Sequence, residues 1–262
     1  MISRLLPVLL AWQVAGSAVA ATNTLSDAET QGRALAQQLL AQGPLSNLVQ
    51  TATLNIRLGP GKRREIPLRI ETRVSAPEWQ MIYETSAPSN RVRLVVTHQP
   101  GRPNRYDFWP ELPEAGSAED RPAAILTGSQ LMQPFAGSDF WVGDLGQEFF
   151  HWPQQKLVKK VIYNSRACSI LESTSPDPAD EGYARVVTWI DSESLGPQHA
   201  EAYDARGRKL KEFQTKELKK VNGQWQVSVL EIENDQTGTR TLLEFNLRAS
   251  AASTGNAAPT GF

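Results

Sequence analysis

Polar and apolar residues alternate over much of this chain. Leu54, Ile56 and Leu58 take one phase, and Thr53, Asn55 and Arg57 take the other. After Gly59-Pro60-Gly61 the same rhythm resumes, with Ile66, Leu68, Ile70, Thr72 and Val74 opposite Arg69, Glu71 and Arg73. A period of two with a polar outer phase predicts antiparallel strands that bury one face and wet the other. Trp79, Met81 and Tyr83, then Val92, Leu94 and Val96, continue the meander, and 105–109 reads as one more short strand. Residues 110–120 are rich in Pro, Glu, Ala and Gly, the composition of a surface loop. Beyond Pro153 the strand pattern returns as hairpins: 156–163 with 167–173, 183–191 with 198–204, and 208–221 with 225–233 around Asn222-Gly223, before a last strand over 239–247.

Two regions break the alternation. Ser26 and Glu29 have the spacing of a capping box, and a helix with Leu35, Ala36, Leu39 and Leu40 on its apolar face follows, stopped by Gly43-Pro44. In the middle, residues 137–155 (GSDFWVGDLGQEFFHWPQQ) carry Phe140, Trp141, Phe149, Phe150 and Trp152. Trp141, Leu145 and Phe149 are spaced i, i+4, i+8, one apolar stripe if the segment is helical, with Ser138 or Asp139 as its cap. Gly143 and Gly146 would each cost about 1 kcal/mol inside that helix. They predict either a close approach of another backbone or a segment that moves. The segment is therefore a helix plugging a core or a lid over an apolar cavity. The preceding 123–132 reads as a short helix or an extended lead-in.

The count is about eleven or twelve strands, all joined by short connections, which forces antiparallel neighbours. A sheet that long with one apolar face curls. The expected fold is mainly β with helices (α+β): an unclosed antiparallel half-barrel with a helical lid.

Composition narrows the setting. Residues 1–20 have a basic start, a short apolar run and Ala18-Val19-Ala20, the form of a secretory signal cleaved after Ala20. The run is too short for the ~20 residues of a membrane span. The expected product is a periplasmic chain with a single domain over 21–247 and a disordered tail over 248–262, poor in large apolar residues. No cysteine lies near residue 20, which argues against a lipid anchor, and Cys168, the sole cysteine, is expected as a small buried hydrophobe. Without Arg4 the balance is 26 basic to 28 acidic residues, giving no electrostatic footprint for nucleic acid. Lys62-Arg63-Arg64 forms the only dense basic cluster, a solvated hairpin tip or a contact for a membrane surface or partner.

Candidate chemistry is sparse. His98, His151 and His199 are scattered and lack ligand spacing, so no metal is expected. No G-x-S-x-G, phosphate loop or dinucleotide fingerprint occurs. Asp139 and Asp144 would diverge by about 140° on a helix, too far for a carboxylate pair. Nothing here calls for an enzyme or a cofactor. Trp189, Tyr203 and Trp225 are expected as ordinary core. What stands out is surplus apolar surface on a fold able to enclose a cavity.

Gly137-Ser138-Asp139-Phe140 with Asp144-Leu145 resembles the G-S-D-F-(S/T)-Y-E-D-L motif of outer-membrane lipoprotein-sorting proteins, LolA-like members of the LolA/LolB lipoprotein-carrier superfamily. Cys168 to Glu172 (CSILE), Trp189-Ile190-Asp191, Glu201-Ala202-Tyr203-Asp204, Gly207 and Leu210-Lys211 follow in the family's order. The resemblance implies a lidded half-barrel that binds acyl chains of a lipoprotein or lipid and moves them toward the outer membrane. An inner-membrane transporter or outer-membrane acceptor would be its further partner, and the carrier itself a monomer. Phe135, Phe140, Trp141, Leu145, Phe149 and Phe150 would form the lid, and Leu68, Ile70, Met81 and Leu94 the cavity wall. Trp141-Val142-Gly143 replaces the family's polar-Tyr-Glu, losing an acid and gaining an apolar ring. The alternative on the same resemblance is a sensor or interaction module regulating an envelope membrane protein.

Overall fold

The computed structural model describes residues 26–86, 91–112, 122–178, 181–221 and 224–247. The signal segment over 1–20 with its cleavage point, the 248–262 tail, Asn222-Gly223 and most of the 110–120 loop lie outside the described residues.

Thirteen antiparallel strands make one sheet, in the order β6-β5-β4-β3-β2-β1-β13-β12-β11-β10-β9-β8-β7. They are β1 (Leu48–Gly59), β2 (Lys62–Ser75), β3 (Glu78–Thr85), β4 (Arg91–His98), β5 (Arg105–Leu112), β6 (Ala124–Leu126), β7 (Gln154–Tyr163), β8 (Arg166–Thr174), β9 (Arg185–Asp191), β10 (Pro197–Tyr203), β11 (Lys209–Val221), β12 (Gln224–Asn234) and β13 (Thr239–Phe245). The chain enters at the centre of the sheet, steps outward to the β6 edge, then crosses to the opposite edge at β7 and steps back until β13 pairs with β1. Residues 127–153 make that crossing. The topology thus lays the aromatic segment over the concave face, as the only described connection between the two edges.

The strand pairings follow from the alternation. Leu54 and Ile56 of β1, Leu68 and Ile70 of β2, and Leu94 and Val96 of β4 are buried on the inner face. On the outer face of β2, Arg69 and Arg73 flank Glu71 at 2.5 Å each. The sheet exceeds the expected eleven or twelve strands because Ala124–Leu126 is extended and pairs with β5, while Gly128–Met132 is a 3-10 turn. The 123–132 stretch is therefore both alternatives in succession.

Helix α1 (Asp27–Leu40) starts on the expected capping box: Ser26 Oγ accepts from the Glu29 N–H at 3.3 Å, and the Glu29 carboxylate accepts from the Ser26 N–H at 2.8 Å. It packs on β7, and Gly32 permits this, since a Cβ there would lie 2.6 Å from Lys156 Cα. Leu35, Leu39 and Leu40 pack against a core cluster of Phe149, Phe150, Leu171, Tyr183 and Ile190. A second cluster fills the β1–β5 half.

Three expectations are corrected. The segment over 141–150 is no continuous helix: α2 (Val142–Leu145) makes a single turn, Gln147 adopts a left-handed conformation, and Glu148–His151 is a 3-10 turn. Neither Ser138 nor Asp139 caps α2. The Ser138 hydroxyl donates to Phe135 O at 2.7 Å, and Asp144, not Ser138 or Asp139, accepts from the Trp141 N–H at the start of α2. Leu58 and Trp225 are exposed, Trp225 by 64 %. Trp225 lies on the part of β12 that runs past the last β12–β13 pair, Val229 with Glu244, where only β11 flanks it.

Candidate functional site

The crossing segment is a compact plug built on a tight loop. Pro134 and Trp141 bridge antiparallel, the Phe135 N–H donates to Phe140 O at 2.8 Å, and the Val142 N–H donates to Gln133 O at 3.0 Å. The reversal needs left-handed backbone at Ala136 and at Gly137, where φ is 66°. Arg64 Nη2 donates to Gly137 O at 2.7 Å, tying this loop to β2.

The polar residues of the G-S-D-F motif fasten the plug to the middle of the sheet. Asp139 accepts from the hydroxyls of Thr239 at 2.6 Å and Thr241 at 2.7 Å, both on β13. Lys211 of β11 is 1 % exposed, donates to Asp139 O at 2.6 Å, and holds Nζ 3.6 Å from the Asp144 carboxylate. The same ammonium sits 3.5 Å from the centroid of the Trp141 ring, a cation–π contact in a dry site. The Trp141 ring in turn stacks on Tyr183 at 4.5 Å. Burial pulls Lys211 down to about 8 and pushes the Asp144 carboxyl up, while each partner's charge opposes the shift in the other. The Trp141 ring thus serves as a lid over a buried cation.

A second set of bonds ties the plug to the β3–β5 side. The Tyr106 hydroxyl donates to Glu148 at 2.9 Å, Asn104 donates to Gly146 O at 2.8 Å, and the Tyr83 hydroxyl donates to Leu145 O at 3.3 Å. Burial raises Glu148 to about 7 and lowers His98 to about 4, with His151 also pulled down by burial. His98 and His151, distant in sequence, meet here.

The site residues named from the sequence divide between the two clusters. Phe135, Phe140 and Leu145 pack in one cluster with Leu68, Ile70, Met81 and Leu94. Trp141, Phe149 and Phe150 join the other, with α1. The wall and the first half of the lid are thus in direct packing, and the plug fills the space between them. Gly137, Ser138, Asp139 and Asp144 are all spent on holding the plug. Open apolar volume lies beside it: a groove of about 660 Å³ bounded by α1, the start of β3, the end of β4 and residues 150–155. Leu40, Trp79, Phe150 and Trp152 give it apolar walls, His98 stacks on Trp79 at 3.7 Å, and Arg33 and Arg102 stand along it. Phe150 is the only residue of the expected lid or wall that lines this groove.

Sequence reasoning passed over Lys211 as a site residue. It shares the inward phase of β11 with Phe213 two positions on, and a lysine in that phase demands a buried partner. Trp79 and Trp152 carried no such signal, because their neighbours come from remote parts of the chain. Among the described residues, no group of three or more His, Cys, Asp or Glu could hold a metal ion, and no helix is long and apolar enough to cross a membrane.

Comparison with known proteins places this architecture. A family model described as an uncharacterized protein matches residues 85–250, more than half of the chain. No curated protein matches the sequence significantly. A DUF1329 family protein from Desulfovibrio piger is 19 % identical over 87 % of this chain and 95 % of its own, with a TM-score of 0.67. A putative outer-membrane lipoprotein-sorting protein domain from Vibrio parahaemolyticus has the same TM-score at 17 % identity, over 87 % of this chain and 96 % of its own. A LolA superfamily protein from Nitrosomonas europaea is 16 % identical over 85 % and 93 % of the two chains, with a TM-score of 0.58. At these identities the three structures speak for the fold, an open half-barrel closed by a lid. With the family model spanning most of the sheet and the plug, the chain belongs to the family of uncharacterized proteins that this model describes, and its fold is LolA-like.

Proposed function

We propose that this protein is a non-enzymatic carrier of the periplasm that binds acyl chains of a lipoprotein or lipid and moves them toward the outer membrane. The observation that carries the reading is the apolar groove between α1 and the plug. Its size falls within the ~300–1,000 Å³ of small-molecule sites, and it is continuous with the Phe150 side of the core. Each buried CH₂ of a chain contributes about 0.8 kcal/mol. An acyl chain therefore gains affinity here from apolar contact alone. The plug is held by discrete polar bonds to β2, β5, β11 and β13. Such bonds can be exchanged for water when the plug lifts, which would open the interior behind it to a longer chain. The lipoprotein-sorting domain of like fold supports a lipoprotein or lipid cargo in the cell envelope.

The test is native mass spectrometry of the protein purified from its own envelope, followed by titration of the delipidated chain with a fluorescent fatty acid. A co-purifying acyl lipid is expected, and Trp152→Ala should weaken probe binding. No lipid, no probe binding and one stoichiometric protein partner would replace the carrier by the interaction module.

A further inference from the structure

Three arginines stand in one row across neighbouring strands. Arg57 of β1 is directly opposite Arg63 of β2 on one side and Arg240 of β13 on the other. Residues so opposed share a face of the sheet, with Cβ atoms ~4.5–5.5 Å apart. Ile56 and Thr241, one position along, are buried inside. The row therefore lies on the outer face, away from the plug and the groove.

Like charges in direct opposition destabilise a sheet; Glu201, Glu212 and Glu233 are opposed in the same way further along this row, whereas other arginines of the sheet keep a carboxylate close. On β2, Arg69 and Arg73, each two positions from Glu71, share its carboxylate between them. Arg105 has Asp107 at 2.8 Å, and Arg208 has Asp204 at 2.7 Å. Among the described residues Arg57 and Arg63 have no ion-pair partner, and Arg240 has only Glu231, at 3.9 Å. The side chains converge on a cleft of about 470 Å³, which they line together with Glu233 and the Gly59-Pro60-Gly61 turn. One carboxylate among three guanidinium groups leaves a surplus of positive charge around an open space.

We propose that Arg57, Arg63 and Arg240 form a binding site for a phosphate group on the outer face of the β2-β1-β13 strands. A guanidinium fork matches phosphate oxygens in bidentate fashion, and a doubly charged oxyanion between the arginines converts their mutual repulsion into attraction. The phosphate can belong to a small soluble molecule or to a lipid headgroup at a membrane surface. The site is separate from the groove, so it stands whether or not the protein carries acyl chains.

The full chain is compared with Arg57→Gln/Arg63→Gln and with a control, Arg69→Gln/Arg73→Gln, which removes the same charge from the same face. Pyrophosphate binding is measured by calorimetry and by its effect on Tm, at ionic strength held constant with NaCl. Sedimentation with phosphatidylcholine vesicles, with and without phosphatidylglycerol, covers the second source. The expected result is that the Arg57/Arg63 variant loses affinity by about tenfold per arginine removed, while the control binds as the wild type does. Without ligand its Tm should equal or exceed that of the wild type, because a repulsion has gone. Binding of pyrophosphate supports a soluble phosphate, and binding only of phosphatidylglycerol vesicles supports a headgroup. The proposal is overturned if neither binds, or if the variant and the control lose binding equally.

Discussion

Gly146 shows how one missing side chain sets the plug's position. A Cβ at that point would lie 2.1 Å from the Tyr106 hydroxyl oxygen and 2.7 Å from its ring. Tyr106 is itself fully buried and holds Glu148. Close approach is thus the reason for this glycine, whereas Gly143 is less crowded, with Leu131 Cβ at 3.3 Å. Gly146→Ala should lower stability by about 1–3 kcal/mol, as overpacking does, and Gly143→Ala by less. Urea unfolding of the two variants checks the order. Glu148 gives a pH signature at the same scale. Its carboxyl is raised from 4.5 to about 7 by burial, ahead of the bond from Tyr106. That contribution is complete below pH 4.5 and is lost as pH rises through 7. His98, lowered from 6.5 to about 4, contributes in the opposite sense, its share being lost as pH falls through that range. Glu148→Gln removes only the first effect. Relative to the wild type it should gain about 1–3 kcal/mol between pH 4.5 and 7.5. A stability difference that stays flat across that range would show that Glu148 does not titrate in the fold.

At the scale of elements, the plug is joined to the sheet by a buried charge pair. Lys211 and Asp144 are almost inaccessible, and Asp144 Oδ1 finds no hydrogen-bond partner among the described residues. A pair so buried adds little net stability, yet removing one member strands the other. Lys211→Met alone should cost about 3–5 kcal/mol. Combined with Asp144→Asn it should cost less than the two single changes added together, with a coupling of at least ~1 kcal/mol. A double-mutant cycle by thermal melting reads this directly, and additive losses would mean the pair does not act as one lock. The alternation foretold which strand faces were buried, but it gave no hint that a lysine on one strand would meet a carboxylate 67 positions away in sequence. A helical period was equally misleading in 141–150. Trp141, Leu145 and Phe149 satisfy it, yet tertiary bonds to Leu145 O and Gly146 O hold the chain in a broken path after one turn.

For the whole molecule, the plug's anchoring predicts an order of opening. The β1–β13 pairing lies at the centre of the sheet, and the plug lies on its concave face, attached through side chains. Native-state hydrogen exchange should therefore release amides of the plug at lower free energy than those of β1 and β13. Acyl lipid in the groove should slow plug exchange and leave the central strands unchanged. Equal protection of plug and sheet would argue for a permanently closed interior and against a carrier that opens.

The sequence by itself determined most of the strands, the antiparallel sense of consecutive ones and the starting point of α1. Each rests on local signals, a period of two, short turns and a capping box whose members lie three residues apart. It also marked the central segment as exceptional, through its aromatic density and its glycines. Only the tertiary structure decided what that segment is. The left-handed turn at Gly137 is stabilised by Arg64, the Asp139 carboxylate by Thr239 and Thr241, and the Trp141 ring by Lys211. The groove likewise joins Leu40, Trp79, His98 and Trp152 from four separate parts of the chain. Period and propensity act over a few residues, whereas a buried contact is set by which distant strands the order of the sheet brings side by side.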